Sequence, residues 1–497
     1  MTLMFENILA KAVAIVCLNT LLIITQIVPA LMIAGTSSHV GKSVIVAALC
    51  RILSKMGYSV APFKAQNMSL NSFVTKDGKE IAIAQAFQAR ACGVEPNELM
   101  NPILLKPKGN KISQLVVLGE AVKDISALEY YREVRWLQRI VEEAYRKLEE
   151  EFDVIVIEGA GGIAEINLYD KDIANIGIAR IAKPSIFIVG DIDRGGVFAS
   201  LYGSYKLLPD DVANLIRGFI INKFRGDVKL LKSGIETLEG ITGVRVFGVI
   251  PFVDLTFTPE DSLSLDDWNC EEARIGIVRF PRISNWTDFE YLKPAGIKFV
   301  WKRDDLSDFD IIILPGTKNT IADLKELKSA GMDEKIRAVA GKIPVIGICG
   351  GYQILGKELI DRGIEHGNIK VKGLGLLDAV TIFDEFRKRT VQVVKKVTGD
   401  AVIIDRIRGQ KVWGYEIHKG KTFASKPVFE DDGCASDDGM IWGTYLHGLF
   451  SNENVLRAVG DYLGVKLVKT NWFDKFAEIV ERHVDIESMI NLCITST

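Results

Sequence analysis

The chain has 497 residues, 48% of them hydrophobic, which is enough for two or three domains with complete cores. Lys+Arg 61 against Asp+Glu 64 leave a net charge of −3 with no basic block, which excludes a nucleic-acid footprint and favours small anionic ligands. Cysteines at 17, 50, 92, 270, 349, 434 and 493 form no C-x-x-C pair, and the five histidines are never paired at i,i+3 or i,i+4. Both patterns argue for a reducing cytoplasm and against a disulfide framework or a His-built metal centre.

In chain order, Ile8 to Ala30 is strongly apolar, interrupted by Lys11, Asn19, Thr20 and Gln26. It reads either as a signal or anchor, or as an extension upstream of the true domain with Met32 near the natural beginning. The run passes straight into Leu31-Met-Ile-Ala34, the strand that must feed the next motif. The second reading is therefore preferred: residues 1–30 are expected outside the fold, with no stable membrane association.

Residues 31–253 read as a nucleotide module. Gly35-Thr36-Ser-Ser-His-Val-Gly41-Lys42-Ser43 follows the strand and opens an apolar helix, Val44 to Met56. This is a P-loop: backbone N–H groups cradle phosphate, Lys42 reaches the outer phosphates and Ser43 ligates magnesium. His39, inside it, is expected to point to solvent. A helix is expected from Glu80 to Cys92. Glu129 to Glu151 carries Tyr130, Val134, Leu137, Val141, Ala144 and Leu148 at helical spacing, with its charges on a solvated face. Strand Val154 to Ile157 ends at Glu158-Gly-Ala-Gly-Gly162, and strand Ile186 to Val189 ends at Gly190-Asp191. Carboxylates in such places suit magnesium, so Glu158 and Asp191 are candidate ligands beside Ser43. Asn222 and Lys223 follow a further strand, where an amide could read the adenine edge. These strands with intervening helices predict a doubly wound parallel sheet.

Asp254 to Glu272 is acidic and turn-rich, and is expected to be a linker. Residues 273–465 then read as a second α/β module, and 466–497 as a C-terminal helical segment. Arg274 to Phe280 and Asp310 to Leu314 are strands, the latter ending at Pro315-Gly316. Ile343 to Ile348 is a buried strand that stops at Gly347-Ile-Cys349-Gly350-Gly351 and passes into a helix, the pattern of a nucleophile elbow with cysteine as nucleophile. Gly350 and Gly316 N–H groups would receive the oxyanion. His447, just past another apolar strand, is the expected base, and His418 a pocket residue.

Nearly the whole chain from residue 31 to 490 resembles the cobyric acid synthase family of adenosylcobalamin biosynthesis. That family joins a dethiobiotin-synthetase-like ATP domain to a class I glutamine amidotransferase-like domain. The resemblance rests on Gly35–Ser43, Lys64-Ala-Gln-Asn-Met-Ser-Leu-Asn71, Met100-Asn-Pro-Ile-Leu-Leu-Lys-Pro107, Ala164-Glu-Ile-Asn-Leu168, Asp191 to Phe198, Phe219 to Gly226 and Gly414-Tyr-Glu-Ile-His418. It implies ATP, Mg2+, L-glutamine and adenosylcobyrinic acid a,c-diamide as reactants, with amidation at the b, d, e and g carboxylates. It also implies Cys349 as nucleophile, His447 as base and Lys64 as a holder of the substrate carboxylate. The sister cobyrinic acid a,c-diamide synthases share both domain types but carry a different segment in place of residues 64–71. Class I amidotransferases usually place a glutamate two residues after the histidine. Here that position is Leu449, so the expectation is a Cys–His dyad with no third member named. A partitioning ATPase, a stand-alone thiol hydrolase or a non-catalytic corrinoid binder would each use only half the chain. The order of amidations, the corrin-binding residues, the ammonia path and the oligomeric state are left open.

Overall fold

A computed structural model describes residues 29–109, 111–253, 265, 268–385, 388–469 and 472–495. The expectations for residues 1–28 and for most of the 254–272 linker lie outside this set. Within it, Ala30 already belongs to the first strand, Ala30–Gly35, with Met32 fully buried at its middle. Leu265 and Trp268, expected in the linker, are buried in the second module's core.

The first module is a six-stranded parallel sheet. Its order is Arg245–Pro251, Ile216–Phe224, Ser185–Asp191, Ala30–Gly35, Val154–Glu158, Val60–Phe63. Alternation along each strand feeds two cores, as a parallel sheet covered on both faces requires. Leu31, Ile33, Val154 and Val156 face one side, and Met32, Ala34, Ile155 and Ile157 the other. Helix Ala127–Glu151 covers the second face. Ser126 caps it, and the Glu129 carboxylate accepts from the Ser126 backbone N–H. All six apolar positions expected on its inner face are buried. Helix Lys42–Lys55 covers the opposite face.

The helix expected from Glu80 starts three residues later, at Ile83. Glu80–Ala82 instead pairs antiparallel with Ser72–Val74, which holds the Glu80 carboxylate among Ser72, Lys106 and Lys388. A four-stranded sheet of Gln66–Met68, Ile103–Gly109, Ile112–Val117 and Glu120–Ser126 also belongs to this module.

The second module centres on another six-stranded sheet. Ile297–Val300, Ile275–Val278, Ile311–Leu314, Val345–Ile348 and Ile441–Thr444 run parallel, and Cys434–Ala435 closes the edge antiparallel. The elbow strand begins after Pro344, which has no N–H to give to the ladder.

The C-terminal segment is not a separate appendage. Helices Trp472–His483 and Ile486–Thr495 return to the first module, where Phe476, Val480 and Met489 join the core beneath Leu49 and Leu53. Asp474 pairs with Arg51 and Lys55 at 2.9 and 2.7 Å, and Asp485 with Arg245 at 2.8 Å. Gly248 lets them approach, since a Cβ there would stand 2.2 Å from His483 O. Among the described residues no helix is long and apolar enough to cross a membrane. Phe476→Ala is expected to destabilise the nucleotide module by about 3–5 kcal/mol in guanidinium unfolding. A loss below ~1 kcal/mol would show that these helices merely rest on the surface.

Candidate active sites

The P-loop runs from the carboxyl end of the central strand into helix Lys42–Lys55. Gly41, at φ +101°, makes the turn, and a Cβ there would lie 2.2 Å from Asn222 Nδ2. Asn222 therefore braces the loop: its amide nitrogen donates to Val40 O at 2.7 Å. The Thr36 N–H donates to Val189 O and the Ile163 N–H to Gly35 O, so the 159–162 glycine loop packs against the P-loop. Lys42 Nζ bridges the two loops, donating to Ser37 O and Gly161 O at 3.0 Å each. His39 is half-buried, and its carbonyl accepts from Lys223 Nζ.

Glu158 has no exposure to water. Its carboxylate accepts from Ser43 Oγ at 2.9 Å and Lys64 Nζ at 2.7 Å, and from the Gln85 and Gln88 amides. Ser43 and Glu158 thus set two oxygen donors of the kind a divalent cation takes side by side, with the Lys64 ammonium paired to the same carboxylate. Asp191 stands apart from it, on the other neighbour of the central strand. Its carboxylate takes Lys223 Nζ at 2.8 Å and the Asp193 N–H at 2.9 Å.

In the second module Cys349 sits at φ 52°, ψ −107°, outside the relaxed regions for an L-residue, and the two residues after it are forced to be glycine. A Cβ on Gly351 would lie 1.9 Å from Leu314 O, and one on Gly350 2.5 Å from Thr317 Cγ2 and 3.0 Å from Thr317 N. Gly316 faces the base, since a Cβ there would stand 3.1 Å from His447 Cε1. Cys349, His447, Thr317 and His418 line one pocket together with Lys106 from the first module. His418 stacks on Tyr445 at 3.6 Å, in keeping with a pocket residue.

Sequence reasoning missed Asp288. Its Oδ2 lies 2.6 Å from His447 Nδ1, and its Oδ1 accepts the Gly448 N–H at 2.8 Å. A carboxylate reached from 159 residues away therefore does the orienting that Leu449 cannot. Asp288 lies in the short helical stretch Trp286–Ala295, whereas Glu158 ends a strand, so the strand-end signal that singled out Glu158 does not reach it. Burial pulls the His447 imidazole down, but Asp288 and the Cys349 sulfur more than offset this and push it up to about 10. Nucleophile, base and orienting acid stand in the order that activates a thiol for attack on an amide.

The two sites are joined by one short segment. Lys64 pairs with Glu158 at its start, and at its end the Ser72 N–H donates to Asn285 Oδ1 at 3.1 Å, Asn285 lining the Cys349 pocket. Tyr415, stacked on His447, donates its hydroxyl to Ser72 O at 2.9 Å.

Comparison with known proteins bears on both modules. Residues 31–264 match the family model of the CobQ/CobB/MinD/ParA nucleotide binding domain, and residues 274–455 that of the CobB/CobQ-like glutamine amidotransferase domain. A probable cobyric acid synthase of Archaeoglobus fulgidus is 64% identical over 92% of this chain and 99% of its own length. Those of Methanococcoides burtonii and Methanosarcina mazei are 51% and 50% identical, each over 93% of this chain and 96% and 98% of their own.

Asp288→Asn is expected to lower glutamine hydrolysis by a factor on the order of 10². It should also change how stability depends on pH. In the native protein His447 is raised from 6.5, so its contribution is complete below that value and is lost as pH rises through about 10. Thermal midpoints of the wild type should therefore fall across this window, and those of Asp288→Asn should fall less; parallel profiles would remove Asp288 from the role.

Proposed function

The chain belongs to the cobyric acid synthase family, and from that premise we propose that it amidates the b, d, e and g carboxylates of adenosylcobyrinic acid a,c-diamide, using ATP and glutamine. Cys349 attacks the side-chain amide carbon of glutamine. His447, held by Asp288, already carries the proton as an imidazolium beside the Cys349 thiolate and delivers it to the departing ammonia. The Gly350 N–H, with the Gly316–Thr317 backbone, receives the oxyanion, and water cleaves the thioester to glutamate.

In the nucleotide module a corrinoid carboxylate attacks the γ-phosphate to give an acyl phosphate and ADP. Ammonia then displaces phosphate and leaves the amide. Lys42 neutralises charge on the transferring group. The donor oxygens of Ser43 and Glu158 suit Mg2+, which when bound neutralises charge on the phosphates; Asp191 is a further candidate ligand from the opposite side. Lys64, paired with Glu158 beside this centre, is placed to take the incoming carboxylate. The reaction needs ATP and a reduced thiol, which suits the cytoplasm.

The observation that carries this reading is the Lys64–Ser72 segment, which touches the Glu158 cluster at one end and the Cys349 pocket at the other. A carboxylate is a poor acyl donor and ammonia is protonated in bulk water, so activation and delivery must be coupled in space.

Mass spectrometry of adenosylcobyrinic acid a,c-diamide incubated with ATP, Mg2+ and glutamine tests it. Four successive losses of about one mass unit are expected, absent in Cys349→Ala and restored by ammonium. Ser43→Ala should abolish the change with either nitrogen source while sparing glutamine hydrolysis. No mass change with this substrate, together with two amidations of cobyrinic acid, would reassign the chain to the sister activity.

A further inference from the structure

Beside the P-loop lies a cleft of about 970 Å³. One wall is the glycine loop and the P-loop tip; the other is the four-stranded sheet of the first module, which presents Met68 and Ile112. These two side chains are 58% and 42% exposed, unusual for large apolar groups inside a concave surface. Tyr130 and Tyr131 add aromatic surface. Lys171, 4.6 Å from the Tyr131 ring, and Arg194 supply positive charge. Of the two carboxylates in the lining, Asp172 is occupied by the Asn175 N–H at 2.8 Å, and Glu165 lies against Gly162.

The sheet order sets the direction of approach. Asp191 and Asn222 lie on strands to one side of the P-loop strand, whereas most of the cleft follows Val154–Glu158 and Val60–Phe63 on the other, with Arg194 reaching it from beyond Asp191. An acceptor in the cleft can then reach the phosphate site from that side.

We infer that this cleft holds the corrinoid macrocycle, with Met68 and Ile112 in apolar contact with the ring and one peripheral carboxylate at a time directed to the P-loop. The inference rests on the amidation proposed above. One phosphate site must serve four carboxylates around the ring, so the ring must be held without fixing which edge faces inward. Apolar contact is non-directional and permits this, whereas a lining of matched ion pairs would select one orientation. The cations at the mouth suit a ligand with several carboxylates at its rim and a large apolar face.

The test is calorimetric titration of adenosylcobyrinic acid a,c-diamide into wild type, Met68→Asp and Ile112→Asp, each saturated with a non-hydrolysable ATP analogue and Mg2+. Both side chains are exposed, so the variants should fold, and unchanged analogue affinity and unchanged glutamine hydrolysis without corrinoid would verify it. A weakening of corrinoid binding by about tenfold or more in both variants is expected. Wild-type binding with undiminished affinity in the variants would overturn the cleft assignment and leave the amidation reading standing. No binding to wild type would overturn both.

Discussion

A single carboxylate sealed from water, Glu158, is the constraint on which the nucleotide half depends. An isolated buried carboxylate is costly, and its partners repay that cost only if each is held in place. Ser43 comes from the P-loop helix, Lys64 from the neighbouring strand's end, and Gln85 and Gln88 from helix Ile83–Cys92. One acid thus ties three other parts of the chain to the point where phosphate must sit, and the same grip fixes the start of the segment that runs to the glutaminase pocket. The lysine that could receive a substrate carboxylate is already beside the hydroxyl that could hold the metal.

The second module solves a parallel problem with strain in place of charge. Cys349 is held in a conformation an L-residue avoids because Gly347, Gly350 and Gly351 leave no room for the chain to relax. Asp288 completes the site by fixing both the ring of His447 and the backbone of Gly448. The hairpin strand carrying Tyr415 and His418 links this centre to Ser72. The two chemistries therefore share structural elements as well as a chain.

Much of this was legible in the sequence, because strands ending in glycine and an acid, or in glycine and a cysteine, carry local signals. The P-loop, Glu158, the elbow and His447 were read that way, as was the inner face of helix Ala127–Glu151. Asp288 was not, because its partner is distant in sequence and the familiar position, Leu449, is apolar. Asn222 was expected just after a strand, but it lies within strand Ile216–Phe224, where its amide nitrogen donates to Val40 O. The start of helix Ile83–Cys92 moved because Glu80 has partners from both modules, and helical periodicity cannot register that. The C-terminal helices showed an apolar stripe, which says that a helix packs but not against what.

That last feature governs how the protein is made. The glutaminase half interrupts the nucleotide half, whose core is closed by helices Trp472–His483 and Ile486–Thr495. Domains tend to fold in order of synthesis, but here the core under helix Lys42–Lys55 is complete only once Phe476, Val480 and Met489 have joined it. Part of that apolar surface therefore stays without its partners until the residues past the second module have been made. The second module, continuous in sequence, can complete its own core first and then bring the closing helices back to the partner it separates.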